Sequence, residues 1–222
     1  MLLIATRNAH KVGEIRAILG DRFQFLALND FPGAPKVVED AGTFAGNATK
    51  KAVELAKWVS SEHRTSNIER PTPNFVLADD SGLEVDALNG APGVHSARFT
   101  ALDSAKSGNT SDADNNAKLL RLLKDVPLEK RTARFHCVIA LVPVRTPDAR
   151  PQTPDPNLFD GVCEGRMGFE AHGQNGFGYD PLFVPVGFEQ TFAELGEGVK
   201  NNLSHRARAL EKLKRFLTNK NG

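Results

Sequence analysis

The chain contains little cysteine, which excludes several kinds of protein. Of its 222 residues only Cys137 and Cys163 are cysteines. Both stand alone in apolar surroundings, without the spacing of a metal-binding motif or the density of a disulfide-rich scaffold. We therefore expect two buried, reduced thiols.

An excess of charge of either sign is also missing. Lysine and arginine number 28 against 27 aspartates and glutamates, so the formal net charge is +1. This balance argues against a broad surface for nucleic acid or another polyanion. With 40% hydrophobic residues the chain is long enough for one sizeable core, and we expect a single domain over residues 1–222.

Long hydrophobic runs are absent too. The N-terminal run Met1–Ala5 is far shorter than the apolar core of a signal peptide, and no later segment approaches the length that spans a membrane. We expect a cytoplasmic protein without a membrane partner.

The first loop lacks the glycines of a Walker loop. It runs over Thr6–Lys11, between a predicted strand at residues 2–6 and a predicted helix at residues 8–19 that ends at Gly20. Backbone amides at a helix N-terminus, with Lys11 close by, nevertheless favour a phosphate. From these residues alone, phosphate binding and an ordinary strand-to-helix connection both remain open.

Two adjacent acids follow an apolar run. Phe75–Ala78 predicts a short buried strand, after which Asp79 and Asp80 are costly to bury without a cation. A regular strand would point them to opposite faces, and a turn at Ser81-Gly82 is predicted to return them to one cleft. One interpretation is a hard metal ion on one carboxylate, with the other accepting a proton from water. The other is a pair of solvated acids that opens a turn.

Strands and helices alternate through the rest of the chain. The helical pattern from Thr43-Phe44 through Ser60 carries lysines that ordinarily lie on a solvated face, among them Lys51 and Lys57. Residues 61–73, 103–111 and the proline-rich 145–157 predict exposed segments, the last as the tip of a hairpin. The remaining predictions are strands at 23–28, 83–88, 132–144 and 158–167 and a helix at 112–123.

Two blocks near the C-terminus combine aromatic rings and cations. Glycines around Phe177 and Tyr179 permit tight turns that present an aromatic face to a planar ligand, although such rings more often fill a core edge. Ser204 is predicted to cap a helix from about Ala207 to Leu217. Arg206 in the basic first turn opposes the helix dipole, which indicates another role for its charge.

These blocks occur in one order along the chain: Thr6-Arg7-Asn8-Ala9-His10-Lys11, Glu39 with Gly42-Thr43-Phe44, Asn47-Ala48 with Lys51-Ala52, Ala78-Asp79-Asp80-Ser81-Gly82, Gly90-Ala91-Pro92-Gly93 with Ser96-Ala97-Arg98, Gly176-Phe177-Gly178-Tyr179-Asp180-Pro181 and Ser204-His205-Arg206. Together they resemble the noncanonical purine nucleoside triphosphate pyrophosphatases, the inosine/xanthosine triphosphate pyrophosphatases of the Ham1/RdgB family. The resemblance covers essentially the whole chain. It departs from the family only in the three segments predicted as exposed.

The resemblance implies an elongated α/β fold of the Maf/Ham1 type, with a long mixed twisted sheet, two lobes and the active-site cleft between them. It implies a homodimer. It also implies hydrolysis of dITP, ITP and XTP to the monophosphate and pyrophosphate, with Mg²⁺ as cofactor and without stable nucleic-acid binding.

The resemblance also assigns roles to individual residues. Glu39 and Asp79 are implied Mg²⁺ ligands, and Asp80 is the implied base for the attacking water as well as a metal contact. Lys11 and Lys51 are implied contacts of the triphosphate. Phe177 is implied to stack on the base, and the other implied substrate contacts are Thr6, Asn8, Ser81, Gly82, Gly178, Tyr179, Asp180, Lys200, Ser204, His205 and Arg206.

Two other classes compete with this interpretation. A Maf-type pyrophosphatase has similar architecture but prefers modified pyrimidine and other nucleotides, and the blocks at residues 177–181 and 204–206 argue against it. A noncatalytic nucleic-acid-binding module would use the basic C-terminal helix, residues 206–220, but the near-neutral net charge argues against that class.

Overall fold

The structure is a computed structural model that describes residues 1–65, 71–103, 108–144 and 155–219. The helices are α1 (Ala9–Leu19), α2 (Phe44–Thr65), α3 (Asp112–Leu122), α4 (Phe192–Leu203) and α5 (His205–Asn219). The strands are β1 (Leu2–Ile4), β2 (Phe25–Ala27), β3 (Phe75–Val85), β4 (Thr132–Pro143), β5 (Asn157–Met167) and β6 (Phe183–Pro185). Parts of the three segments predicted to be exposed lie outside the described residues. These parts are residues 66–70, 104–107 and 145–154, and the last includes most of the predicted hairpin tip.

The strands form one mixed sheet in the order β2-β1-β3-β4-β5-β6. β1 pairs in parallel with both β2 and β3, whereas β5 and β6 pair antiparallel. The register sets Ile4 beside Leu77, and the Ala5 N–H donates to the Leu77 carbonyl at 2.8 Å. Because the two strands run in the same direction, the residues after Ile4 lie beside those after Leu77. The predicted mixed α/β class is confirmed.

One compact unit consists of Met1–Asp80, Val138–Asp160 and Leu210–Gly222. Asn8 caps α1 by accepting from the backbone N–H groups of His10 and Lys11, and Gly20 ends the helix with φ 72°. That conformation favours glycine, so the predicted helix stop is confirmed. The predicted apolar face of α2 is buried at Phe44, Ala48, Ala52, Leu55, Ala56 and Val59.

The other compact unit consists of Ser81–Cys137 and Gly161–Ala209. Its core includes the rings of Phe135, Phe183 and Phe192, with centroids 4.6 Å apart between the first two. Gly161 in β5 faces the start of α5, where an added Cβ would lie 2.1 Å from the His205 carbonyl oxygen and 2.5 Å from the Ala209 nitrogen. Only glycine allows the strand to approach the first turn of α5 this closely.

Several predicted boundaries are wrong, and one helix was missed. Ser81 and Gly82 do not form a turn, because β3 continues through them to Val85; residues 86–88 then form a 3-10 turn. α2 extends five residues beyond the predicted end at Ser60, to Thr65. α5 begins at His205, with Ser204 capping it through the Ala207 N–H at 3.2 Å.

The missed helix is α4. No helix was predicted there, because Gly196 and Gly198 interrupt the apolar period. Gly196 has φ 77° inside the helix. A capping box begins α4, since the Thr191 hydroxyl accepts from the Glu194 N–H and the Glu194 carboxylate accepts from the Thr191 N–H. β6 was likewise not predicted, since a three-residue strand carries little periodic signal.

Both cysteines are buried, as predicted, and they form no disulfide in the described part of the chain. Burial raises the pKa of the Cys163 thiol to about 11, so the thiolate is disfavoured at neutral pH. None of the described helices combines the length and the apolar character needed to cross a membrane.

Candidate functional site: an acid–lysine cluster and an aromatic–cation cluster

The parallel pairing of β1 and β3 brings the first loop to the acidic pair. α1 begins at Ala9, shortly after β1 ends at Ile4, and Lys11 in its first turn reaches Asp79 of β3. The Lys11 Nζ lies 2.7 Å from Asp79 Oδ1, and the Asp79 side chain is 1% exposed. The ion pair therefore joins a buried carboxylate to a partly exposed lysine.

Lys51 of α2 lies at the centre of the acid–lysine cluster, which we define as Lys11, Glu39, Lys51, Asp79 and Asp80. Its Nζ lies 2.6 Å from the Asp79 carbonyl oxygen, 3.0 Å from Glu39 Oε1 and 3.2 Å from Asp80 Oδ1. The residue is only 8% exposed, so the expectation of a solvated lysine is wrong here. For Lys57, which is exposed, the same expectation is confirmed.

Asn47 fixes the other side of the Asp80 carboxylate. Its Nδ2 donates to Asp80 Oδ2 at 3.1 Å, while its Oδ1 accepts from the Ala41 N–H at 2.9 Å. Asn47 is fully buried and precedes Lys51 by four residues, which places both side chains on one face of α2. Sequence reasoning assigned no role to Asn47, although this spacing was the available signal.

Burial and charge set the protonation of the cluster. Desolvation raises the pKa of the Asp80 carboxyl above its ordinary value, although Lys51 and Lys11 oppose the rise. An ionised carboxylate with a raised pKa is a better proton acceptor. Burial alone would lower the pKa of Lys51, but the nearby charges of Asp80, Glu39 and Asp79 outweigh it and raise that pKa, so the ammonium stays protonated.

Three carboxylates of the cluster are of the type that binds hard divalent cations. In the described residues no three histidine, cysteine, aspartate or glutamate side chains are gathered in a ready metal cage. However, oxygens of Glu39 and Asp80 already converge on one cation, the Lys51 ammonium. Carboxylate oxygens are the ligands that Mg²⁺ prefers, so Glu39, Asp79 and Asp80 fit this ion by type.

The first loop is held by its own side chains. The Thr6 hydroxyl accepts from the Asn8 N–H at 3.1 Å, and Asn8 Oδ1 accepts from the His10 and Lys11 N–H groups at 2.9 and 3.2 Å. These bonds give Thr6 and Asn8 a structural part in shaping the loop. They also present Lys11 from a defined first turn.

The aromatic–cation cluster lies in the second unit and consists of Phe177, Asp180, Lys200 and Arg206. The half-buried Phe177 ring has the Lys200 Nζ 4.4 Å and the Arg206 Cζ 5.9 Å from its centroid. Lys200 pairs with Asp180 Oδ2 at 2.5 Å, and the Phe177 N–H donates to the same oxygen at 2.9 Å. An aromatic face and two buried cations are thus held together.

The start of α5 brings Arg206 into that cluster. The guanidinium donates to Ser81 Oγ at 2.9 Å, and Arg206 is only 1% exposed. Ser204 caps the helix, and the His205 ring stacks on Phe135 with centroids 4.8 Å apart. A buried arginine beside a helix N-terminus is unfavourable for the helix dipole, which supports a role outside the helix.

The remaining residues predicted to contact the substrate differ in their burial and their role in the fold. Tyr179 belongs to the core of its unit, where its hydroxyl donates to the Ser96 carbonyl at 2.9 Å and burial raises its pKa. Gly82 is buried within β3, whereas Ser81 before it is half-buried. Gly178 has φ 63° and follows Phe177, so it shapes the loop that carries the ring.

The fold and the clusters define a mixed α/β protein in which lysines from two helices face an acidic strand segment. A sequence model of the Ham1 family matches residues 2–216. The chain belongs to this family.

Its relatives cover nearly all of it. A protein named dITP/XTP pyrophosphatase from Desulforamulus reducens is 45% identical over 97% of this chain and 94% of its own length. Another of that name, from Geobacter sulfurreducens, is 46% identical over 97% of this chain and 96% of its own length. The solved structure of a HAM1 protein from Coxiella burnetii matches with a TM-score of 0.77 and 36% identity, over 98% of each chain.

Proposed function

We propose that this protein hydrolyses deaminated purine nucleoside triphosphates, namely dITP, ITP and XTP, to the monophosphate and pyrophosphate. The observation that carries the proposal is the acid–lysine cluster, in which a protonated, buried Lys51 bridges Glu39 and Asp80. The relatives named dITP/XTP pyrophosphatase support dITP and XTP as substrates.

Asp80 is the proposed base. It accepts a proton from a water whose oxygen attacks phosphorus, the bond linking the α- and β-phosphates breaks, and pyrophosphate leaves. The raised pKa of Asp80 supports this role, because it makes the carboxylate a stronger base. General-base help of this kind contributes about 10²–10⁴ in rate. Asn47 donates to Asp80 Oδ2, so the orientation of the Asp80 carboxylate is fixed.

Lys11 and Lys51 are the proposed triphosphate contacts, because cations must balance the charge of the leaving pyrophosphate. Glu39, Asp79 and Asp80 would hold Mg²⁺. When bound, the ion would supply positive charge to the phosphates and lower the pKa of the attacking water. Thr6 and Asn8 keep Lys11 in place through the first turn of α1.

The aromatic–cation cluster is the proposed recognition site for the base. Phe177 offers a half-buried face for stacking, and Lys200 and Arg206 offer N–H donors. Hypoxanthine and xanthine have an acceptor oxygen at C6, whereas adenine has a donor amine. The Ser81 hydroxyl accepts from the Arg206 guanidinium at 2.9 Å, which holds this donor in a defined orientation.

We further propose that the chain acts as a homodimer in the cytoplasm and as a single functional domain. Membership of the Ham1 family supports the homodimer. The two buried thiols form no disulfide in the described residues, which agrees with a reducing compartment.

A panel of nucleotides tests the proposed function. With Mg²⁺ present, we expect wild-type enzyme to release pyrophosphate from ITP, dITP and XTP far faster than from ATP or GTP. Chromatography should show one molecule of nucleoside monophosphate formed for each molecule of pyrophosphate released. Release of orthophosphate as the first product would contradict the proposed reaction. Faster turnover of modified pyrimidine nucleotides would contradict the proposed substrates and favour the Maf-type alternative.

The role of Arg206 is tested on the same panel. Arg206→Ala should lower kcat/KM for ITP more than for ATP, because the lost donor serves the C6 oxygen and faces an amine in adenine. Arg208→Ala, which removes an exposed arginine two residues along α5, is the matched control and should leave the ratio unchanged. An unaltered ITP-to-ATP ratio in Arg206→Ala would refute the donor explanation.

A further inference from the structure

The backbone of Gly178 is held at both its polar groups by one helix. The Gly178 N–H donates to Asp112 Oδ2 at 2.6 Å, and the Gly178 carbonyl accepts from Asn116 Nδ2 at 3.0 Å. Asp112 and Asn116 lie one turn apart in α3, on the same face. We propose that they are positioning residues that hold the Phe177 ring for the purine base, an inference that rests on the proposed function.

The Phe177 loop needs such support because of its flanking residues. Gly176 and Gly178 both have positive φ, at 79° and 63°. Glycine permits this conformation but also loses the most conformational freedom when it is ordered. The ring position therefore depends on tertiary hydrogen bonds, with Asp180 holding the Phe177 N–H and α3 holding the next residue.

α3 is itself firmly anchored, so it can serve as a fixed support. The buried Asn115 accepts at its Oδ1 from the Thr100 N–H, the Thr100 hydroxyl and the Thr110 hydroxyl, at 2.8 to 3.0 Å. Leu119, one turn further on, is fully buried in the core of the unit. Asp112 and Asn116 thus project from a helix that packing and hydrogen bonds already fix.

The two bonds to Gly178 differ in character, which provides a conservative variant. The Asp112 carboxylate makes a charge-assisted bond, and an asparagine there keeps an acceptor of the same shape. Asp112→Asn should therefore retain most of the support. Asp112→Ala and Asn116→Ala each leave one polar group of Gly178 without its protein partner.

Steady-state kinetics with ITP and inhibition by inorganic tripolyphosphate separate base recognition from phosphate binding. For Asp112→Ala and Asn116→Ala we expect KM for ITP to rise by about tenfold, the effect of one lost hydrogen bond, with kcat and the tripolyphosphate inhibition constant nearly unchanged. Asp112→Asn should restore KM. Arg121→Ala, which removes an exposed side chain from the last turn of α3, is the matched control and should resemble wild type.

A double-mutant cycle with Phe177→Ala tests whether the effect passes through the ring. Once the ring is absent, adding Asn116→Ala should raise KM no further, because both substitutions remove the same contribution. Additive losses, or an equal weakening of tripolyphosphate inhibition, would overturn the positioning role while leaving the proposed function standing. A wild-type protein that does not hydrolyse ITP would overturn both.

Discussion

Asp80→Asn is expected to lower the turnover of ITP by about 10²–10⁴, the usual contribution of a general base. The amide has the shape of the carboxylate and can still accept from Asn47 or Lys51, but it cannot take a proton from water. Burial already disfavours the Asp80 charge, so the substitution should not unfold the protein. Single-turnover rates, with nucleotide binding measured separately by calorimetry, check the expectation.

Asp79→Asn is the informative comparison for that experiment. Asp79 is the adjacent acid in β3. Its carboxylate pairs with Lys11, whereas the carboxylate of Asp80 accepts from Lys51 and Asn47. Its loss should raise the Mg²⁺ concentration needed for half-maximal activity, with turnover recovering at high Mg²⁺. Near-normal turnover in Asp80→Asn, or recovery of that variant at high Mg²⁺, would remove Asp80 from the role of base.

Lys51→Met is expected to lower the free energy of unfolding by about 3–5 kcal/mol, because it leaves carboxylates in a buried site without their shared cation. Met keeps the length of the side chain and cannot donate to the Asp79 carbonyl or to Glu39 and Asp80. The same variant should bind tripolyphosphate much more weakly than wild type, while inosine monophosphate loses less. Urea unfolding and competition binding measure the two effects.

Lys50→Met is the matched control. Lys50 neighbours Lys51 on α2 but pairs with the exposed Asp40 at 2.6 Å, where solvent screens both charges. We expect its unfolding midpoint and its tripolyphosphate binding to stay close to wild type. If Lys51→Met behaves like Lys50→Met, then Lys51 is neither a structural centre of the acid–lysine cluster nor a phosphate contact.

Features that depend on neighbouring residues were predictable from the sequence. The stop at Gly20 and the apolar face of α2 follow from local preferences and helical spacing, and both are present. The prediction of a turn at Ser81-Gly82 was wrong because it relied on local preference alone. Serine and glycine are common in turns, but pairing within the sheet keeps these residues extended in β3.

The family motifs also indicated the residues of both clusters, but not how they meet. Lys51 illustrates the limit, because its sequence context is that of any solvated helix lysine. Its contact with Asp79 joins positions 28 residues apart, and the Arg206 contact with Ser81 joins positions 125 apart. Such pairs depend on packing that no local pattern encodes.

The sequence by itself therefore determined the mixed α/β class, most of the helices and strands, and the family to which the motifs belong, since each of these depends on local spacing or on short blocks. Only the tertiary structure decided that Lys51 is buried among three acids, that Asn47 fixes Asp80, and that α3 supports the loop of Phe177. The physical reason is that burial and pairing of charges are set by strand register and helix packing, which bring together residues that are distant in the chain.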